Sequence, residues 1–253
     1  MIDERLALDD AGDDTFVSRA EIDAHHVFGG LLIAQALRAA ATTVGAERPA
    51  YSLHASFIAS GAGGEPIRYR VERTRDGSSF ATRRVVAEQR KGVVLVLTAG
   101  FHHDEPGPTY EPDAPAVEPP DACPIGRYSS PLFESRDVPV TDGPVRRAWF
   151  RPTTPLPDDP DLHLQALAFI SDFGPTRAAR EPHAHLADEA RRQSVSLDHS
   201  VWFHQPARVD GWLLSELTPA ATGQGRGLAL GSIRTSDGAL LATVAQEVLL
   251  RER

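Results

Sequence analysis

The sequence predicts an α+β protein built twice, each time as a buried helix followed by an antiparallel sheet. Three observations predict it. Between residues 31 and 41 only Gln35 and Arg38 are polar. A helix apolar nearly all round is one that other structure encloses. Strand-like runs come next at 51–59, 67–73, 79–88 and 93–101, joined by short turns such as Gly61-Ala-Gly-Gly64 and Arg75-Asp-Gly77, the signature of an antiparallel meander. Finally, the order recurs. Leu164, Leu167, Ala168 and Ser171 fall at helical spacing within 163–172, and strand patterns succeed them at 194–206, 212–217, 228–235 and 239–251.

The two halves also align in sequence. Gly92-Val-Val-Leu-Val-Leu-Thr-Ala-Gly100 runs parallel to Gly238-Ala-Leu-Leu-Ala-Thr-Val-Ala-Gln246, 146 residues later, and Ser52-Leu53 matches Ser196-Leu197 at a distance of 144. Near-equal offsets at independent strands indicate duplication. Between the halves, 14 of the 20 prolines lie from Pro106 to Pro160. That density opposes helix and central strand, so the expected division is a repeat at 1–104, a Pro-rich connection at 105–160 and a second repeat at 161–253. Trp149-Phe150-Arg151 suggests that part of the connection packs down. A polar strand region at 15–22 precedes the first helix, and 181–193 reads as a surface loop or short helix.

Composition narrows the function. A net charge of −9 supplies no basic face for phosphate backbones, which argues against a nucleic-acid partner. Cys123 is the sole cysteine, so no intramolecular disulfide and no cysteine-based metal site are expected. The first residues are acidic where a secretory signal is basic and then apolar, no apolar run reaches membrane-span length, and Arg251-Glu-Arg253 is no peroxisomal address. The expectation is a cytoplasmic protein. His25-His26, His102-His103 and His183-x-His185 are read as surface histidines rather than ligands, with no metal site. Gly223-x-Gly-x-Gly227 sits between strands, which rules out a dinucleotide fingerprint.

Two stretches attract attention as chemistry. The run Ser194 to Pro206 reads as one strand whose alternation separates Leu197, Val201 and Phe203 from Ser196, Asp198, Ser200 and His204. Regular alternation puts Asp198 and His199 on opposite faces, so both are read as structural or interface residues. On the last strand Gln246 shares a face with Leu240, Ala242, Val244, Val248 and Leu250, one amide in an apolar row, and a buried amide needs partners. Its counterpart in the first half is Gly100. Asp172 continues the apolar stripe of its predicted helix, where burial would raise its basicity. No Gly-x-Ser-x-Gly elbow is present, so Ser196 is not read as a covalent nucleophile.

Taken in order, Val27-Phe-Gly-Gly30 with Gln35-Ala36-Leu37, Ser52-Leu53-His54, Arg75-Asp-Gly77 with Ser79-Phe80, Arg83-Arg84-Val85 with Gln89, Trp149-Phe150-Arg151, Ser171-Asp172, Leu197-Asp198-His199-Ser200 with Trp202-Phe203-His204, and Gln246-Glu247 resemble the acyl-CoA thioesterase II family, the double hot-dog thioesterases. The resemblance spans roughly residues 15–251. It implies a double hot-dog fold, an acyl-CoA substrate hydrolysed to fatty acid and CoA, no cofactor, and a homo-oligomer. It also implies a catalytic trio of Asp172, Ser196 and Gln246 holding a water. Leu31 departs from the family's usual Gln after the double glycine, and Val248 from its usual Gly. His54 is a family position without a matching Gln in its half. Arg73, Arg75, Arg83, Arg84, Arg191 and Arg192 are candidates for the CoA phosphates. The competing readings are an enoyl-CoA hydratase, for which no Asp/His pair on a shared loop is seen, and a non-catalytic acyl-CoA-binding protein.

Overall fold

In the computed structural model, residues 1–19, 25–141, 143–184 and 192–252 are described. The chain opens with helix α1 (Ile2–Leu6) and strands β1 (Leu8–Asp10) and β2 (Thr15–Ser18). The apolar run then forms α2 (Gly29–Thr42), succeeded by β3 (Ala50–Phe57), β4 (Arg68–Asp76), β5 (Phe80–Gln89) and β6 (Gly92–His102). These four strands are the ones the turn pattern predicts. The remaining elements are β7 (Phe133–Val138), β8 (Arg146–Pro152), α3 (Pro160–Ser171), α4 (Pro175–Arg180), β9 (Arg192–Ser196), β10 (Asp198–Phe203), β11 (Leu213–Gly223), β12 (Arg226–Thr235) and β13 (Leu240–Glu252).

Two compact units result. The first contains Met1–Tyr110, Leu156–Ile170 and Pro206–Arg208; the second contains Glu111–Pro155, Ser171–Gln205 and Val209–Arg253. In the first, the strands run in the order β1-β2-β4-β5-β6-β3, every pairing antiparallel. Leu31, Leu32, Ile33, Ala34, Ala36 and Leu37 of α2 are all buried, as a helix apolar all round requires. Burying a large aliphatic side chain contributes about 1.5–3 kcal/mol. The one fully buried amide on that helix is satisfied. Gln35 Nε2 donates to the Arg5 carbonyl at 2.8 Å and Gln35 Oε1 accepts from the Tyr69 hydroxyl at 2.6 Å. Burial pushes that phenol well above its ordinary pKa.

In the second unit the order is β10-β13-β12-β11-β8-β7, with β9 also on β13. Ala178 and Ala179 of α4 pack on Leu217, Ala229 and Val248 of the sheet. Here one expectation fails. Strand β8 lies between β11 and β7, inside the stretch whose proline density opposes central strand. The reason is placement: Pro131, Pro139 and Pro144 leave proline-free runs that hold all of β7 and all of β8 except its last residue, Pro152. Pro219 is likewise tolerated in β11, because the β8 pairing stops at Leu217 and a register shift comes after Pro219.

A second difference concerns the strand expected over 194–206. It is broken at Leu197 into β9 and β10. Ser196 stands opposite Val248 and Ser200 opposite Ala245, so four steps along one strand meet three along the other. This is a β-bulge, which re-aims the side chains on either side of it. The Asp198 carboxylate accepts the Glu247 N–H at 2.8 Å and the Leu197 N–H bonds the Glu247 carbonyl at 2.9 Å, so Asp198 holds the bulge open.

Candidate active site

The bulge determines what meets Gln246. Along β13, Ala242, Val244, Gln246 and Val248 are buried to within about 1%, the apolar row with one amide that the sequence describes. In a regular strand Ser196 and His199 would point to opposite faces. The extra residue turns both toward Gln246. Gln246 Nε2 donates to Ser196 Oγ at 2.7 Å and, at a longer 3.4 Å, to Thr176 Oγ1 on the first turn of α4. Its Oε1 lies 2.5 Å from His199 Nδ1, and His199 Nε2 lies 2.8 Å from Ser171 Oγ at the end of α3. All five residues belong to the second unit.

Burial grades along this network. Ser171, His199 and Gln246 are buried, whereas Ser196 and Thr176 are half-buried. Burial, opposed by the hydrogen bond to Gln246, pushes the His199 imidazole from 6.5 down to about 4, so the ring is neutral at neutral pH. His199 thus contacts the predicted catalytic amide directly, an arrangement that strand alternation alone does not show. No local signal could have shown this, because the bulge arises from pairing with β13. Ser171 and Thr176 were missed as site residues as well, although Ser171 falls on the helix stripe and Thr176 two residues after a glycine that starts the next helix.

Asp172 is not within the helix as the periodicity suggested. α3 ends at Ser171, and Asp172 occupies the turn before α4, half-buried and adjacent in sequence to the network. The first half does not repeat the amide of Gln246. At Gly100 an added Cβ would lie 2.5 Å from the Tyr51 ring, so aromatic carbon occupies the place where the second half has its amide. His54 is exposed. Val248, the departure from the family's usual glycine, fills the core beneath α4, and Leu31 is buried on α2.

Several arginine candidates are already committed. Arg73 grips Asp14 through two bonds of 2.7 and 2.8 Å. Arg83 is 1% exposed and bonds Thr43, the Arg75 carbonyl and Asp76. Arg84 reaches Glu72 at 3.5 Å. Arg191 lies outside the described residues, as does His185. Among the described residues one group gathers metal-ligand types, His102, His103 and Glu105, whose ligand atoms fall within 4.8 Å. Glu105 lies 3.0 Å from His103 and 3.5 Å from His102. His102 is half-buried and stacked on Phe80 at 4.0 Å, not a surface residue.

Two units, each with a helix laid on an antiparallel sheet, define a double hot-dog protein. Family models match in tandem, Acyl-CoA thioesterase N-terminal domain over residues 18–102 and Acyl-CoA thioesterase C-terminal domain over 103–250. Human acyl-coenzyme A thioesterase 8 is 32% identical over 97% of this chain and 87% of its own length. Acyl-CoA thioesterase 2 of Haemophilus influenzae is 31% identical over 89% and 87%. The crystal structure of an acyl-CoA thioesterase II, TesB2, from Mycobacterium marinum matches with a TM-score of 0.89 at 37% identity, covering 100% of this chain and 97% of that one. The chain belongs to the acyl-CoA thioesterase family. No helix among the described residues is long and apolar enough to cross a membrane.

Proposed function

We propose that this chain hydrolyses fatty acyl-CoA to the free acid and CoA by direct attack of water, with Asp172, Ser196 and Gln246 as the groups that hold it. Family membership supports the reaction. One observation supports the site: a fully buried amide, Gln246, bonds the hydroxyl of Ser196 at 2.7 Å, at a place where the first half has only Gly100. In the proposed reaction Asp172 accepts a proton from water as the water oxygen bonds to the thioester carbon. Ser196 orients that water or the carbonyl. The C–S bond then breaks and the departing CoA sulfur takes the proton, so one water is consumed and one acid and one thiol form. The catalytic half is the repeat at 161–253. A cytoplasmic location and self-association belong to the same proposal, the latter tested by sedimentation.

Thiol release from an acyl-CoA series tests the site. Asp172→Asn and Gln246→Ala are each expected to lower kcat by about 10²–10³. Hydrolysis that survives both substitutions overturns the assignment. Binding of acyl-CoA by the wild type with no turnover would leave a binding protein instead of an enzyme.

A further inference from the structure

The functional reading uses Ser196 and Gln246 but leaves the buried half of their network, Ser171 and His199, without a role. Neutral imidazole has one N–H donor and one acceptor nitrogen. His199 Nδ1 faces an amide oxygen, which only accepts, so Nδ1 carries the proton. Nε2 must then accept, and the Ser171 hydroxyl donates to it. The amide that receives the Nδ1 proton has both N–H donors directed at hydroxyl oxygens, Ser196 Oγ and Thr176 Oγ1. Each of those hydroxyls, already accepting, has its own proton to give elsewhere.

We infer that Ser171 and His199 are positioning residues: they lock the Gln246 amide in one orientation, so that the hydroxyls of Ser196 and Thr176 accept from it and keep their own protons to donate to the reacting group. Thr176 thereby becomes a second hydroxyl donor beside Ser196. The inference rests on the proposed hydrolysis. The geometry supports it in a specific way, because polarity runs in a single direction from a buried end to a half-buried end. Reversing the ring's tautomer would reverse every bond of the chain. The amide would then turn its oxygen to the two hydroxyls, which would spend their protons inward.

Two measurements test it. The ¹⁵N spectrum of the labelled protein should show a protonated Nδ1 and an unprotonated Nε2 for His199 at neutral pH. A proton on Nε2 overturns the inference. The second test compares two replacements. In His199→Asn the amide nitrogen takes the place of Nδ1 and keeps the donor to Gln246, so kcat should stay within about tenfold of wild type. In His199→Gln the amide takes the place of Nε2, keeps Ser171 and loses Gln246, so kcat should fall about 10²–10³-fold with KM within about twofold. Equal losses in the two folded variants, or a loss carried by KM, would overturn the positioning role. Full turnover in Gln246→Ala would instead remove the functional reading. Turnover lost in Gln246→Ala but kept in His199→Gln would remove the positioning role alone.

Discussion

His199 should make this protein acid-sensitive in a window that can be stated in advance. In the unfolded chain the imidazole takes a proton as pH falls below its ordinary 6.5, whereas in the fold it does so only near 4, because burial disfavours the charged ring. Between those values the unfolded state binds more protons than the folded one. The folded state therefore loses stability as pH falls through that window, and the contribution is complete above it. At about 1.4 kcal/mol per pH unit, the full penalty is about 3 kcal/mol by pH 4, of which about 2 kcal/mol is already lost at pH 5. The assay is urea unfolding monitored by tryptophan fluorescence at pH 7.5 and 5.0, for wild type and His199→Asn. The variant is expected to be less stable at pH 7.5, since it trims a buried ring, but to lose about 2 kcal/mol less on acidification. His204, whose pKa is also lowered by burial, is present in both proteins and cancels in the comparison. Identical pH dependences in the two proteins would refute the reasoning.

Other sites give separate expectations. An alanine at Gly30 would place Cβ 2.5 Å from the Phe169 carbonyl oxygen and 2.5 Å from the Phe28 ring. The ring can swing aside but the carbonyl cannot, so Gly30→Ala should cost about 1–3 kcal/mol and lower Tm by about 2–4 °C per kcal/mol in a scan. Replacing Arg83 with Met keeps the stem but strips the donors from the Thr43 and Arg75 carbonyls. Left unsatisfied, the buried Thr43 carbonyl above all should lower the unfolding free energy by about 1–3 kcal/mol, read by denaturant titration. Cys123 is buried and its thiol pKa is raised by that burial, so a thiol reagent should label it only at the rate of unfolding, and fast labelling in the native protein would contradict the packing.

The sequence by itself determined α2, α3 and the strands of the two meanders in their order, because helix and strand patterns are local. Leu31 to Ala41 can bury itself only inside other structure, and Gly- and Asp-bearing turns divide the chain beyond α2 into strands of the observed lengths. It also marked Gln246, since period-2 alternation along β13 leaves one amide in an apolar row. Proline misled over the connection: its count resisted strand, but β7 and β8 depend on the spacing between prolines. Tertiary structure decided the rest of the site. Whether Ser196 and His199 reach the same amide depends on a one-residue bulge at Leu197, and that bulge exists only through the pairing of β9 and β10 with β13 and the Asp198 carboxylate that caps Glu247. Likewise α3 ends at Ser171, which joins the network, and Asp172 stands in the turn after it. Faces of isolated strands are a local property; the meeting of two faces is a property of the packed chain.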